Sequence, residues 1–281
     1  VNIMTRPLFD DIDRIAAQVA LAPHIILYVD FDGTLASIVE EPALAGLSPH
    51  MDRVVRALAD NPGVSVAVLS GRDRADLQAR LPIPGLIYAG NHGLEINGHG
   101  FIFVEPTAAQ CAQAMKDIAA EISRRVHSIE GALVEDKGLT VSIHYRMVSE
   151  YKVEEVRRVV HAVLAASNHP FQLNAGDKVY EIRPRVYWNK GTAVEWIRQQ
   201  LDKPGALAIY VGDDTTDEDA FAVLPDDITI KVGGSGETAA HYSLADTAEV
   251  RKFLEWLPTQ LRQPASAPVI SERRSAVGSA P

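Results

Sequence analysis

One cysteine in 281 residues, Cys111, is too few for an intrachain disulfide or a cysteine-held metal cluster. It sits in "TAAQCAQAMKDIAAEI", a helical pattern, and reads as a buried structural thiol. No apolar run reaches the roughly 18 residues that a bilayer span needs. The first residues, "VNIMTRPLFDDIDRIAAQVALAP", lack the continuous apolar stretch of a signal peptide, so a cytoplasmic protein without a membrane partner is expected. Runs rich in Lys and Arg are also missing. With 37 acidic against 27 basic residues the formal net charge is -10, which argues against a nucleic-acid binder working by bulk charge and suits a bound metal better. No internal repeat is visible.

What is present is a grammar of short apolar runs alternating with helical patterns. Residues 7–20 carry Leu8, Ile12, Ile15 and Val19 at helical spacing. "HIILYVD" (24–30), "GVSVAVLSGR" (63–72) and "GLIYAGN" (85–91) read as buried strands, separated by helices over 51–62 and 73–81. Strands apolar on both faces and alternating with helices predict a parallel sheet covered on both sides. The pattern then changes. "HGLEINGHGFIFVE" alternates around Asn97-Gly98 as a hairpin, helix 107–127 follows, and "GLTVSIHYR" (138–146) reads as a half-exposed antiparallel strand. Helix 149–166 and a second hairpin over 171–184, turning at Gly176-Asp177, complete an inserted α+β unit. The parallel grammar returns with helix 189–201, strand 206–214, helix 217–223, strand 227–233 and helix 246–257. The division expected is a core over 1–103 and 186–262, an insert over 104–185, and an aperiodic, disordered tail over 263–281. Trp188, Trp196 and Trp256 read as core residues.

Four polar clusters fall at strand ends or helix starts, where ligands sit in open α/β sheets. They are Asp30 and Asp32 in "DFDGT", Ser70-Gly71-Arg72, Lys190, and "GDDTTDED" over 212–219. Each has an ordinary reading as a turn, a helix cap or a solvated charge. Together they supply a carboxylate nucleophile, a hydroxyl donor, a fixed cation and metal-binding acids, which is what phosphoryl transfer requires. Ionised carboxylates one residue apart repel each other, and a hard divalent cation held by oxygen ligands relieves that.

In this order "DFDGT", "SGR", "NKG" and "GDDTTDEDAF" resemble the four motifs of the haloacid dehalogenase superfamily of phosphotransferases. With "GNHGLEI", "VEDKGLTVSIHYR" and "VYEIRP", the likeness narrows to the trehalose-6-phosphate phosphatase family and covers roughly residues 24 to 257. It implies a Rossmann-like parallel core of haloacid dehalogenase type with an inserted α+β cap. The implied activity is Mg²⁺-dependent hydrolysis of trehalose 6-phosphate to trehalose and phosphate through an aspartyl-phosphate. Asp30 is then the nucleophile and Asp32 the acid/base. The Asp30 carboxylate, the Asp32 backbone carbonyl and Asp213 hold the metal, with Asp214 and Asp217 as supporting carboxylates. Thr34, Ser70, Gly71 and Lys190 belong to the phosphate site. Arg72, Asn91, His92, Glu135, Lys137, Arg146 and Glu181 are candidates for contact with the sugar. Carboxylates accept from hydroxyl pairs, and Lys or Arg donate to hydroxyl and ring oxygens, so such a set suits a disaccharide.

Two other readings stand beside this one. A capped phosphatase or phosphomutase for another sugar phosphate would carry the same core motifs. A silent domain that binds a sugar phosphate or a synthase would share the fold, but it has no use for a complete catalytic set. These residues include no synthase domain, so coupling to a trehalose-phosphate synthase is expected between chains.

Overall fold

In "IILYVD" (Ile25–Asp30) all six residues are buried, which only a strand covered on both faces permits. The structure is a computed structural model, and it describes residues 5–39, 44–176, 178–234 and 236–261. The expected tail from 263 lies outside these.

The first part of the chain runs β1 (Arg6–Pro7), α1 (Ile12–Leu21), β2 (Ile25–Asp30), α2 (Pro49–Ala59), β3 (Val64–Leu69), α3 (Arg74–Arg80), β4 (Ile87–Gly90), β5 (Glu95–Gly98) and β6 (Phe101–Val104). Next come α4 (Pro106–Val126), β7 (Leu133–Asp136), β8 (Val141–His144), α5 (Glu150–Ala166), β9 (Phe171–Gly176) and β10 (Val179–Pro184). The last part is α6 (Lys190–Leu201), β11 (Leu207–Gly212), α7 (Glu218–Ala222), β12 (Ile228–Val232), β13 (Tyr242–Leu244) and α8 (Thr247–Gln260).

Nine strands form the large sheet in the order β1-β13-β12-β11-β2-β3-β4-β5-β6, parallel except for the antiparallel β4-β5-β6 edge. Ile25, Leu27 and Val29 point to one face and pack with Ile15, Val55 and Phe253 of α1, α2 and α8. Ile26 and Tyr28 point to the other and meet Val194 and Ile197 of α6 and Phe221 of α7. This is the α/β core that the apolar runs predict. Burying a large aliphatic or aromatic side chain contributes about 1.5–3 kcal/mol, so the central strands anchor whatever extends from their ends.

The stretch after β6 builds a separate four-stranded antiparallel sheet, β7-β8-β10-β9. Val141, Ile143 and Ile182 face α4 and α5, against Met115, Ile122 and Val160. Alternation sends Glu135, Ser142, His144 and Glu181 to the opposite, helix-free face. Cys111 is buried in the α4 side of this cluster, as its helical setting implies.

Several local expectations shift. The first helix begins as a 3-10 turn over Leu8–Asp11 and becomes α-helical at Ile12. The first hairpin turns at His99-Gly100 rather than Asn97-Gly98, because Gly98 pairs with Phe101. Both intervening residues have positive φ, 50° and 85°, as a two-residue hairpin loop demands. That hairpin joins the large sheet. Gly176 pairs with Val179 in the second hairpin; Asp177 lies outside the described residues. Strands β1, β7 and β13 were not anticipated.

Candidate active site

The carboxyl ends of β2 and β11 are neighbours because these strands pair directly. Asp30 ends β2, and the chain turns through Gly33 at φ +86°. A Cβ at Gly33 would collide with the Asp213 carboxylate just beyond β11, so only glycine lets the two loops close on each other. Thr34 Oγ donates to Asp213 Oδ1 at 2.8 Å, which makes Thr34 a prop for that acid.

Asp217 is fully buried. Its carboxylate accepts from Lys190 Nζ at 2.6 Å, from the Tyr210 hydroxyl at 2.7 Å and from the Asp214 amide at 2.8 Å. Lys190 opens α6 behind an Asn189 cap whose side chain accepts from the Thr192 amide. A cation is poorly placed at a helix N-terminus; this one is held there by Asp217 and by Asp30 Oδ1, 2.5 Å away. Burial opposes the ammonium's charge, but the two carboxylates outweigh it and raise the Lys190 pKa. Burial also pushes Asp30 well up, helped by Asp217 and Asp213 and opposed by Lys190. Asp213 is pushed up to about 6, chiefly by burial.

Oxygens of Asp30, Asp213 and Asp217 lie within 4.8 Å of one another. Three carboxylates crowded together, with no His or Cys among them and with Asp30 and Asp213 both raised, fit a hard divalent cation. Asp214 stands outside this trio: its side chain accepts from the amide of Thr215 and caps the short turn. Thus Asp217, expected as an auxiliary, faces inward, and Asp214 faces out.

Ser70 is buried at the end of β3, where its Oγ accepts from the Arg72 amide. A Cβ on Gly71 would press on the His92 ring at 2.9 Å. The Arg72 guanidinium grips both oxygens of Asp32 at 2.7 Å each. Beyond β4, Asn91 and His92 adopt φ of 49° and 57°, a left-handed conformation uncommon for residues with a side chain, which Asn and His enter more readily than most and which clusters at functional sites.

The polar face of the small sheet meets this edge. Lys137 Nζ donates to Gly71 O at 3.0 Å, and Asn91 Nδ2 donates to Lys137 O at 3.0 Å. His92 Nε2 lies 3.0 Å from Glu181 Oε1, with Lys137 Nζ 3.8 Å from the same oxygen. Burial would raise the Glu181 pKa, but His92, Lys137 and Arg183 override it and hold the carboxyl down at about 2. Glu135 pairs with His144 at 3.0 Å and lies 3.9 Å from Lys137. Glu135, Lys137, Glu181, Asn91 and His92 are therefore one connected polar cluster. Arg146 occupies an exposed turn after β8. His92 Nδ1 is buried without a partner among the described residues, a donor or acceptor for a bound molecule.

Reading by sequence missed Tyr210 and Arg183. Tyr210 is one more large residue in a buried strand. Arg183 carries a usable signal, standing two residues after Glu181 and hence on the same face, with its Nε 4.0 Å from that carboxylate.

Comparison with known proteins gives the family and the fold. The Trehalose-phosphatase family model matches residues 28–248. A trehalose-phosphate phosphatase of Mycobacterium tuberculosis is 38% identical over 246 residues, covering 84% of this chain and 62% of the relative, so the chain spans under two thirds of that protein's length. Trehalose 6-phosphate phosphatase RA3 of Zea mays is 36% identical over 268 residues, 87% of this chain and 73% of its own. The crystal structure of a trehalose-6-phosphate phosphatase related protein superposes with a TM-score of 0.74 at 25% identity, covering 83% of this chain and 97% of that one.

Proposed function

The chain belongs to the trehalose-phosphatase family, and from that premise we propose that it hydrolyses trehalose 6-phosphate to trehalose and inorganic phosphate. The observation that carries the reading is Lys190, one buried ammonium fixed between Asp30 and Asp217 at the strand ends, beneath a polar sheet face. Such a cation is pre-set for an incoming phosphate oxygen and needs no reorganisation during reaction.

In this mechanism an Asp30 oxygen attacks phosphorus, and the bond from phosphorus to the sugar oxygen breaks. Asp32 gives its proton to that leaving oxygen. Water then attacks the phosphorus of the aspartyl-phosphate, Asp32 takes up the water's proton, and the bond to Asp30 breaks to release phosphate. Lys190 and Ser70 hold the non-bridging oxygens. Asp30, Asp213 and Asp217 would hold Mg²⁺, which when bound neutralises charge where carboxylates and phosphate dianion meet.

The segment over 104–185 acts as a cap. Glu135, Lys137 and Glu181 meet sugar hydroxyls from the small sheet, with His92 and Asn91 completing the pocket from the core edge. Closure of that face over the strand ends excludes bulk water during phosphoryl transfer. The test is phosphate release from trehalose 6-phosphate with Mg²⁺ by the native chain and by Asp30→Asn. Turnover by the first and none by the second is expected; equal turnover by both would exclude Asp30 as nucleophile.

A further inference from the structure

The "SGR" motif suggests that Arg72 reaches the sugar, but its surroundings point elsewhere. Its side chain is only 7% exposed, and its guanidinium sits 5.5 Å from the centre of the Phe31 ring. Nε and Nη2 each donate to a different oxygen of Asp32 at 2.7 Å, a bidentate fork. Nη1 donates to Asp76 Oδ2 at 3.0 Å, and Asp76 is held in turn by Arg80 Nε at 2.7 Å. Asp76 and Arg80 lie on α3, whose start is capped by Asp73. The guanidinium is thus anchored to a helix on one side and holds Asp32 on the other.

Asp32 needs such a hold. Its side chain is 39% exposed, at the mouth of the site, where a carboxylate with free torsions would sample several directions. A planar fork fixes both the position and the plane of the carboxylate, which a single ammonium cannot do. Displacing a reacting group by about 1 Å can cost about 100-fold in rate.

We propose that Arg72 is the positioning residue of the acid/base, locking the Asp32 carboxylate in place as the base of the second step, and that it makes no contact with the sugar. This rests on the phosphatase reading above. In the second step water forms its bond to phosphorus, the Asp30–phosphate bond breaks and the water's proton passes to Asp32. A misplaced Asp32 therefore slows loss of the phosphate from Asp30.

The test uses the full chain with Mg²⁺ and two substrates, trehalose 6-phosphate and 4-nitrophenyl phosphate. Nitrophenolate leaves without being protonated, so the first step on that substrate does not depend on Asp32. For Arg72→Lys and Arg72→Ala, kcat on 4-nitrophenyl phosphate should fall about 100-fold while kcat/KM stays within about threefold. A burst of one nitrophenolate per active site should precede the slow phase. Millimolar guanidinium should restore kcat to Arg72→Ala. A raised KM for trehalose 6-phosphate with unchanged kcat on the aryl substrate would make Arg72 a substrate contact and overturn the proposal. So would loss of a cooperative melt in Arg72→Lys, which would assign the residue to the fold. A native chain inactive on both substrates would instead refute the phosphatase reading itself.

Discussion

Lys190 Nζ lies 2.5 Å from Asp30 Oδ1 with both side chains out of water, so the proposed nucleophile is paired with a cation before any substrate arrives. Asp217 shares that cation at 2.6 Å. Removing one partner of a buried pair costs about 3–5 kcal/mol because the remaining charge is stranded.

Lys190→Met should therefore lose about 3 kcal/mol of unfolding free energy at pH 7.5 in chelator, together with nearly all activity. Part of the stability should return as the pH is lowered to 5, because burial already raises the Asp30 pKa and loss of the ammonium that opposes this raises it further. Urea titrations at the two pH values measure this, and an undiminished stability at pH 7.5 would show that the three groups do not depend on one another.

The metal site makes a prediction about pH. Asp213 sits at about 6 in the folded chain against an ordinary 3.8, and Asp30 is raised as well. A folded acid with a raised pKa holds a proton that the unfolded chain has lost. Its stabilisation is complete below the unfolded value and disappears as pH climbs through the folded one. In chelator the melting temperature should fall from pH 4 towards pH 7. The rise produced by Mg²⁺ should grow over the same interval, because the cation binds the ionised acids. A Mg²⁺-induced rise as large at pH 5 as at pH 7.5 would argue against this cluster as the binding site.

The small sheet's polar face bears on substrate choice. Lys137→Ala removes a donor near both Glu181 and Glu135. It should lower kcat/KM on trehalose 6-phosphate about 100-fold and change that on 4-nitrophenyl phosphate about threefold or less. Equal losses on the two substrates would place Lys137 in the support of the phosphate site, consistent with its bond to Gly71 O.

The large sheet was legible because a strand buried on both faces is almost continuously apolar, as β2 is up to Asp30 and β3 is apart from Ser65. Strands β1 and β13 have two and three residues, too few to show a period. The shifted hairpin arose because Asn97-Gly98 and His99-Gly100 both suit a turn, and only the pairing with β4 and β6 decides between them. The site divides similarly. "GDDTTDED" announces a cluster of acids, but which of Asp214 and Asp217 faces inward depends on a single 3-10 turn. Arg72 was visible as a cation, whereas its grip on Asp32 joins residues 40 positions apart and exists only once β2 and β3 pair.

The most direct measurement compares phosphate release from trehalose 6-phosphate and glucose 6-phosphate by the full chain, with Mg²⁺ and with excess chelator. The result expected is a kcat/KM for the disaccharide at least about 100-fold higher, because paired polar groups of the cap go unsatisfied with the smaller sugar, and no turnover in chelator. Comparable release from the two substrates would contradict recognition of the disaccharide by the cap.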